Sequence, residues 1–219
     1  MIILTIVVPI YNSEKTLIKC LNSIPKRNDI ELICCDDCSE DSSWSLLTNW
    51  KDHNIHNFNN IIINKNDTNL GVGKTKRHMY DIAKGKYIIT IDSDDYVITK
   101  NYSDAIDQLY KNYKDNELLV IDFRKNDNKT YVSNIATATW RYFIKSRYMY
   151  NNNLHIHETR RAEDWFMLED AKKLVKNKQP VFKRLGILAY HYNSPREGSL
   201  EWEHNKERLY GKQTIKIKS

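Results

Sequence analysis

The chain is 219 residues long, enough for one large domain, and its hydrophobic (41%) and charged (28%) shares are those of a globular protein rather than a disordered one. The net charge of +6 favours an anionic partner, whether a nucleotide diphosphate, an anionic lipid surface or nucleic acid, although a solvated basic surface accounts for it equally. The longest apolar run, Met1 to Ile10, is far short of the ~20 residues of a membrane span and lacks a basic leader, so the chain is expected to be cytosolic, at most peripheral at a membrane face.

Ile3 to Val8 is a continuous apolar run, the pattern of a strand covered on both faces. Asn12 or Ser13 can cap the helix that follows, in which Leu17, Ile18 and Leu21 share a face. A second strand, Ile30 to Cys35, leads through an acidic turn into a helix carrying Trp44, Leu47 and Trp50. Ile61 to Ile63 reads as a third strand, about Gly73 to Ala83 as a helix, and Tyr87 to Ile91 as a fourth strand. The alternation implies an α/β fold with a mostly parallel, Rossmann-like sheet between helices. Ligands of such sheets bind beyond the carboxyl ends of the strands, which selects Pro9 to Tyr11, Asp36-Asp37 and Asp92 to Asp95.

After about residue 100 the pattern loosens. It predicts helices over Tyr102 to Tyr113, Thr139 to Tyr148 and Glu163 to Val175, with strands at Leu118 to Phe123, near Val181 and at Ile187 to His191. The Asn-rich stretches at 57–60, 126–128 and 151–153 read as loops. No linker or internal repeat appears, so residues 1–219 are expected to form a single domain, 1–100 being a nucleotide and metal half and 101–219 an acceptor half. The Lys-rich tail, Lys212 to Ser219, is either disordered or rests on an anionic surface. Of the cysteines, Cys35-x-x-Cys38 has no second ligand pair, and Cys20, Cys34, Cys35 and Cys38 read as reduced thiols.

Asp92-Ser-Asp94-Asp95 crowds three carboxylates directly after a buried strand. Like charges so placed are costly unless a cation offsets them, and Mg²⁺ or Mn²⁺ typically bridges one or two carboxylates to substrate phosphates. A solvated acidic turn capping the next helix is the competing account. Gly71-Val-Gly73-Lys74-Thr75 resembles the end of a phosphate-binding P-loop, but Thr68 stands where that motif needs Gly. Backbone N–H groups at such a helix start can still face a phosphate.

Four segments, in order, resemble the family 2 glycosyltransferases of GT-A fold. They are Thr5-Ile-Val-Val-Pro-Ile-Tyr-Asn12; Glu31 through Asp36-Asp37-Cys-Ser-Glu-Asp41; Asn69-Leu-Gly71 through Lys84-Gly-Lys-Tyr-Ile-Ile-Thr-Ile-Asp92-Ser-Asp-Asp95; and Arg161-Ala-Glu-Asp164-Trp-Phe166. Cys38 fills a place that is often Gly, Lys76-Arg77-His78 replaces Ala-Arg-Asn, and Phe166 stands one place early. The resemblance implies that Tyr11 lies against the base of a nucleotide, that Asp37 accepts from its N–H and that Pro9 shapes that pocket. It also implies that Asp92 meets the ribose or a metal water, that Asp94 ligates the metal, that Asp164 is the catalytic base and that Glu163 is an acceptor contact; Gly71, Lys74 and Ser93 are further expected donor contacts, and Asp92 a further metal ligand. Read without it, Tyr11 is a surface aromatic, Asp37 a helix N-cap and Asp164 a first-turn carboxylate. His191, in Tyr190-His-Tyr192, is either structural or a group near the metal. His155 and His157 read as structural or acceptor-side.

The implied reaction is direct displacement, with inversion, of a sugar from a nucleotide-diphosphate donor, UDP favoured, onto an acceptor hydroxyl. Asp164 takes the proton, and Lys74, Arg161 or Arg196 add charge stabilisation. The acceptor is a glycan, glycolipid, protein or modified nucleic acid. Two rivals stand beside it: a nucleotidyltransferase on a similar sheet, and a non-catalytic basic module binding nucleic acid or polysaccharide.

Overall fold

The computed structural model describes residues 1–112, 118–125, 130–131, 139–159, 163, 166–167, 170 and 182–193. The first half alternates as the apolar pattern requires: β1 (Leu4–Ile10), α1 (Leu17–Ser23), β2 (Ile30–Asp36), α2 (Ser43–Asn54), β3 (Asn60–Lys65), α3 (Val72–Ile82) and β4 (Tyr87–Thr90). Then follow β5 (Tyr96–Val97), α4 (Thr99–Asn112), β6 (Leu118–Lys125), β7 (Thr130–Tyr131), β8 (Tyr142–Lys145), α5 (Ser146–Asn151) and β9 (Phe182–Tyr192).

Among the described residues the strands form one sheet in the order β3-β2-β1-β4-β8-β6-β9-β5, with β7 paired to β6. Alternate side chains of the central strands feed two cores, as a strand covered on both faces must. Ile6, Val8, Leu32, Cys34 and Ile89 pack with Leu17, Leu47, Trp50, Tyr102 and Ile106 from α1, α2 and α4. Val7, Ile33, Cys35 and Ile88 pack on the other face with Met79 and Tyr80 of α3, Met149 of α5, and Ile156 and Met167.

The α/β layering is as expected, and the sheet is mostly parallel in strand direction but mixed, since β5, β7 and β8 run against the other six strands. β3, β2, β1 and β4 pair in parallel, whereas β8 runs antiparallel to both β4 and β6. β9 returns parallel to β6, and β5 lies antiparallel on its edge. A period-two pattern is the same in either strand direction, so the sequence could not distinguish these pairings. Two local expectations are also corrected. The helix predicted over Thr139 to Tyr148 is a 3₁₀ turn (Thr139–Arg141), then β8, then α5. Tyr142 to Lys145 is buried throughout, filling the slot between β4 and β6, and that packing overrides the helical reading. Neither Asn12 nor Ser13 caps α1, whose N-cap position is Thr16 with no side-chain capping bond; the Ser13 hydroxyl is committed elsewhere.

β4, β6 and β9 all run in the same direction, because each is antiparallel to β8 or parallel to β6. The carboxyl end of β9 therefore meets the sheet edge at which β1, β2 and β4 also end.

Candidate active site

Three turns meet at that edge. Pro9 lies beyond Val7, the last β1 residue paired with β4, so its missing N–H does not interrupt that ladder. Tyr11 follows with 44% of its surface exposed. Asn12 has a φ of 46° and is locked to the next turn: its N–H donates to Ser39 Oγ, and Glu40 N–H donates to its Oδ1. Ser13 is buried. Its N–H donates to Ser43 Oγ, its hydroxyl to Tyr11 O, and its Oγ lies 2.7 Å from that of Ser93. The β1 and β2 turns and the acidic turn after β4 are thus one connected unit.

Asp36 and Asp37, at the end of β2, divide their work. Asp36 is buried, accepts from Ser39 and lies 3.8 Å from Lys65 Nζ. Asp37 Oδ1 accepts from Asn66 Nδ2 (2.8 Å) and Leu70 N–H (2.9 Å), and its Oδ2 from Gly71 N–H (2.8 Å). Asp37 therefore ties down the entry to α3 and does not cap its own helix α2. The amides there meet a protein carboxylate, which removes the P-loop geometry. Gly71 has a φ of 86°, a left-handed backbone that glycine adopts without strain, and its N–H is spent on Asp37 and Asn69. Lys74, one turn into α3, is exposed.

Asp92, Asp94 and Asp95 occupy the turn after β4, closed by Asp95 N–H donating to Asp92 O. Asp95 is buried; its carboxylate accepts from Tyr190 OH and Asn193 N–H, both at 2.7 Å. Burial first, then the neighbouring Asp92 and Asp94 carboxylates, raise the Asp95 carboxyl well above the usual range. Tyr190 OH also accepts from Asp92 N–H, and Asn193 Nδ2 donates to Asp94 O. Asp92 and Asp94 are half-buried. Ser93 is buried against Ser13. His191 stacks on Tyr96, ring centroids 4.3 Å apart, and Lys19 Nζ lies 3.8 Å from the Tyr96 ring centroid. Burial, then Lys19 and Arg124, lower the His191 pKa and favour a neutral ring.

A third junction comes from the second half of the chain. Glu163 is helical and buried, and its Oε1 accepts from Lys76 Nζ at 2.8 Å; the same ammonium lies 3.5 Å from Asp92 Oδ1. Glu163 thus faces a lysine of α3. Asp164, Arg161 and Arg196 lie outside the described residues, as do the tail and the loop at 126–128. His157 pairs with Asp170 at 2.7 Å, and His155 with Asn153. Burial pushes the Cys20 and Cys34 thiols up and that of Cys35 to about 12, which disfavours the reactive thiolate at these three free cysteines.

Lys76, Ser13, Tyr190 and Asn193 were missed by sequence reasoning. Only Lys76 carried a usable signal: it lies on the buried face of α3 with Gly73, Met79 and Tyr80, where a lysine is out of place.

Among the described residues, no three His, Cys, Asp or Glu side chains gather as a protein-only metal cage. Mg²⁺ and Mn²⁺ sites of the phosphate-bridging kind need fewer, one or two carboxylates with the substrate supplying the rest. The half-buried Asp92 and Asp94, whose charge already raises Asp95, fit that type of site.

A model of the family described as Glycosyl transferase family 2 matches residues 5–170. A poly(ribitol-phosphate) beta-glucosyltransferase of Bacillus spizizenii is 35% identical over 119 residues, covering 52% of this chain and 18% of that protein. Among solved structures, TarS of S. aureus in complex with UDP-GlcNAc superposes with a TM-score of 0.75 at 21% identity, over 90% of this chain and 60% of that one. A mannosyltransferase of Pyrobaculum calidifontis in complex with GDP-Man and Mn²⁺ gives 0.69 at 14% identity, over 91% and 59%. The chain therefore spans less than two thirds of the length of each of these proteins, and the structural likenesses bear on the fold, a GT-A glycosyltransferase fold.

Proposed function

The chain belongs to glycosyl transferase family 2, and from that premise we propose that it transfers a sugar, with inversion, from a UDP-sugar to an acceptor hydroxyl. The observation that carries the reading is the carboxylate turn Asp92 to Asp95 at the end of β4, joined through Ser93 and Ser13 to the exposed Tyr11. The UDP-GlcNAc complex of the structural relative and the glucosyl transfer named for the Bacillus enzyme support a UDP-sugar as donor.

Tyr11 lies against the base, in a pocket shaped by Pro9. Asp37, with three of its roughly four acceptor sites filled, has one left for a base N–H, and Gly71 holds it in place. Asp92 and Ser93 face the ribose, and Lys74 adds charge near the diphosphate. Asp94 and Asp92 would hold Mn²⁺ or Mg²⁺, with His191 the further candidate ligand. Bound there, the cation would supply positive charge that stabilises the departing nucleotide. Asp164 removes the acceptor proton as attack develops, a contribution of ~10²–10⁴-fold, and Glu163 stands at the acceptor side. The acceptor is a hydroxyl of a glycan, glycolipid, protein or modified nucleic acid. The enzyme works in the cytosol, its Lys-rich tail drawing it towards an anionic membrane face. No described helix is long and apolar enough to cross a membrane.

Thermal unfolding with UDP, GDP or CDP, with and without Mn²⁺, tests this directly. UDP with Mn²⁺ is expected to stabilise most, and Asp94→Ala to remove the metal-dependent part. Asp164→Asn is expected to keep the shift while releasing UDP at least ~10²-fold more slowly. A shift indifferent to metal and to Asp94→Ala refutes the metal site, and unchanged turnover in Asp164→Asn removes it as the base. Pyrophosphate as the product would identify a nucleotidyltransferase.

A further inference from the structure

A lysine with 2% of its surface exposed is costly unless its charge is met. Lys76 meets two carboxylates at once, from opposite halves of the chain: Glu163 Oε1 at 2.8 Å and Asp92 Oδ1 at 3.5 Å. Three residues earlier on the same face, a Cβ added to Gly73 would lie 2.3 Å from Thr159 O and 2.5 Å from His157 O. The chain at 157–159 therefore rests directly on the first turn of α3. One turn beyond Lys76, Met79 and Tyr80 pack in the same cluster as Ile156 and Met167. Ile156, the backbone at His157 and Thr159, Glu163 and Met167 thus meet α3, and Lys76 is the charged member among these contacts.

We propose that Lys76 is a positioning residue. By pairing with Glu163 and Asp92 together, it fixes Glu163, the residue that precedes Asp164 in sequence, against the donor-side carboxylate Asp92. This rests on the reading of Asp164 as the base. Without the ammonium, Glu163 and Asp92 would face each other as like charges and separate. A misplacement of about 1 Å at a reacting group can cost ~10²-fold in rate.

The test uses UDP-glucose and UDP-GlcNAc with Mn²⁺, following UDP release with water as acceptor. In Lys76→Met, kcat is expected to fall ~10–10²-fold while the donor KM moves less than about 3-fold. Glu163→Gln should show a similar loss, Lys76→Met/Glu163→Gln no more than the worse single change, and Lys76→Arg a partial rescue. The double variant also removes a buried carboxylate left without its cation, which keeps the comparison open should Lys76→Met fold poorly. A raised KM with unchanged kcat would make Lys76 a donor contact, and losses that multiply would separate it from Glu163; either overturns the proposal. Hydrogen exchange supplies a readout independent of turnover: Lys76→Met should loosen residues 156–159 and Glu163 and leave β1 and β2 unchanged. Unchanged exchange there overturns the proposal whatever the rates. Loosened exchange in a protein that releases UDP from neither donor would leave the Lys76 link standing and count against the glycosyl-transfer reading instead.

Discussion

Tyr190 stands 95 residues from Asp95, yet among the described residues its buried hydroxyl is one of two donors that hold that carboxylate, the other being the Asn193 N–H. Burial, and after it the Asp95 carboxylate, push the Tyr190 phenol well above its ordinary value, so it remains a donor. Tyr190→Phe is expected to cost about 1–3 kcal/mol, since it leaves a buried acceptor one partner short, and to reduce the Mn²⁺-dependent shift with UDP. Urea unfolding measures the first and thermal unfolding the second; a variant as stable as the parent would mean that the backbone alone holds the turn. Cys38 illustrates a residue whose oddness was legible beforehand. It fills a place where the resemblance expects Gly, and its φ of 62° lies in the left-handed region that glycine tolerates best.

Between elements, the clearest fastening away from the site is the one that ties α4 to the α1–β2 connection. Arg27 donates to both oxygens of Asp29 at 2.8 Å and to Ser103 Oγ at 2.9 Å, and pairs with Asp107, while Tyr110 OH donates to Asp29 Oδ2. The hydrogen bonds from Arg27 hold the Asp29 carboxyl below its usual pKa. A lowered folded pKa contributes stability above the unfolded value of about 3.9 and loses it as pH falls through the folded value. Asp29→Asn should therefore cost up to about 1 kcal/mol at neutral pH, the scale of a partly exposed pair, and flatten the acid limb of the stability profile. An acid limb identical to the parent's would mean that the pair contributes nothing. The same scale explains the misread of Tyr142 to Lys145, where the slot between β4 and β6 made a strand out of a segment whose own pattern suited a helix.

Across the whole molecule, both cores draw on both halves of the chain. Ile6 and Leu32 share one with Ile106, Leu119 and Phe143; Val7 and Ile33 share the other with Ile144, Ile156 and Met167. Neither half can open without exposing the other's apolar surface, so unfolding should be a single cooperative transition. Far-UV and near-UV signals are expected to coincide in urea. Two separated midpoints would show that the donor half, residues 1–100, stands on its own.

What the sequence determined by itself is the alternating architecture of its first hundred residues and the sites of its carboxylates. Both are local: the apolar runs of β1, β2 and β4 declare strands buried on two faces, and in a parallel sheet the residue after each strand falls at one common edge. Tertiary structure alone decided which of those carboxylates are tied and by what. Asp37 is bound to the entry of α3, Asp95 to β9, and Asp92 with Glu163 to Lys76. Each contact joins residues between 16 and 98 positions apart through one geometry of the folded sheet, and neither periodicity nor local motif encodes such a distance.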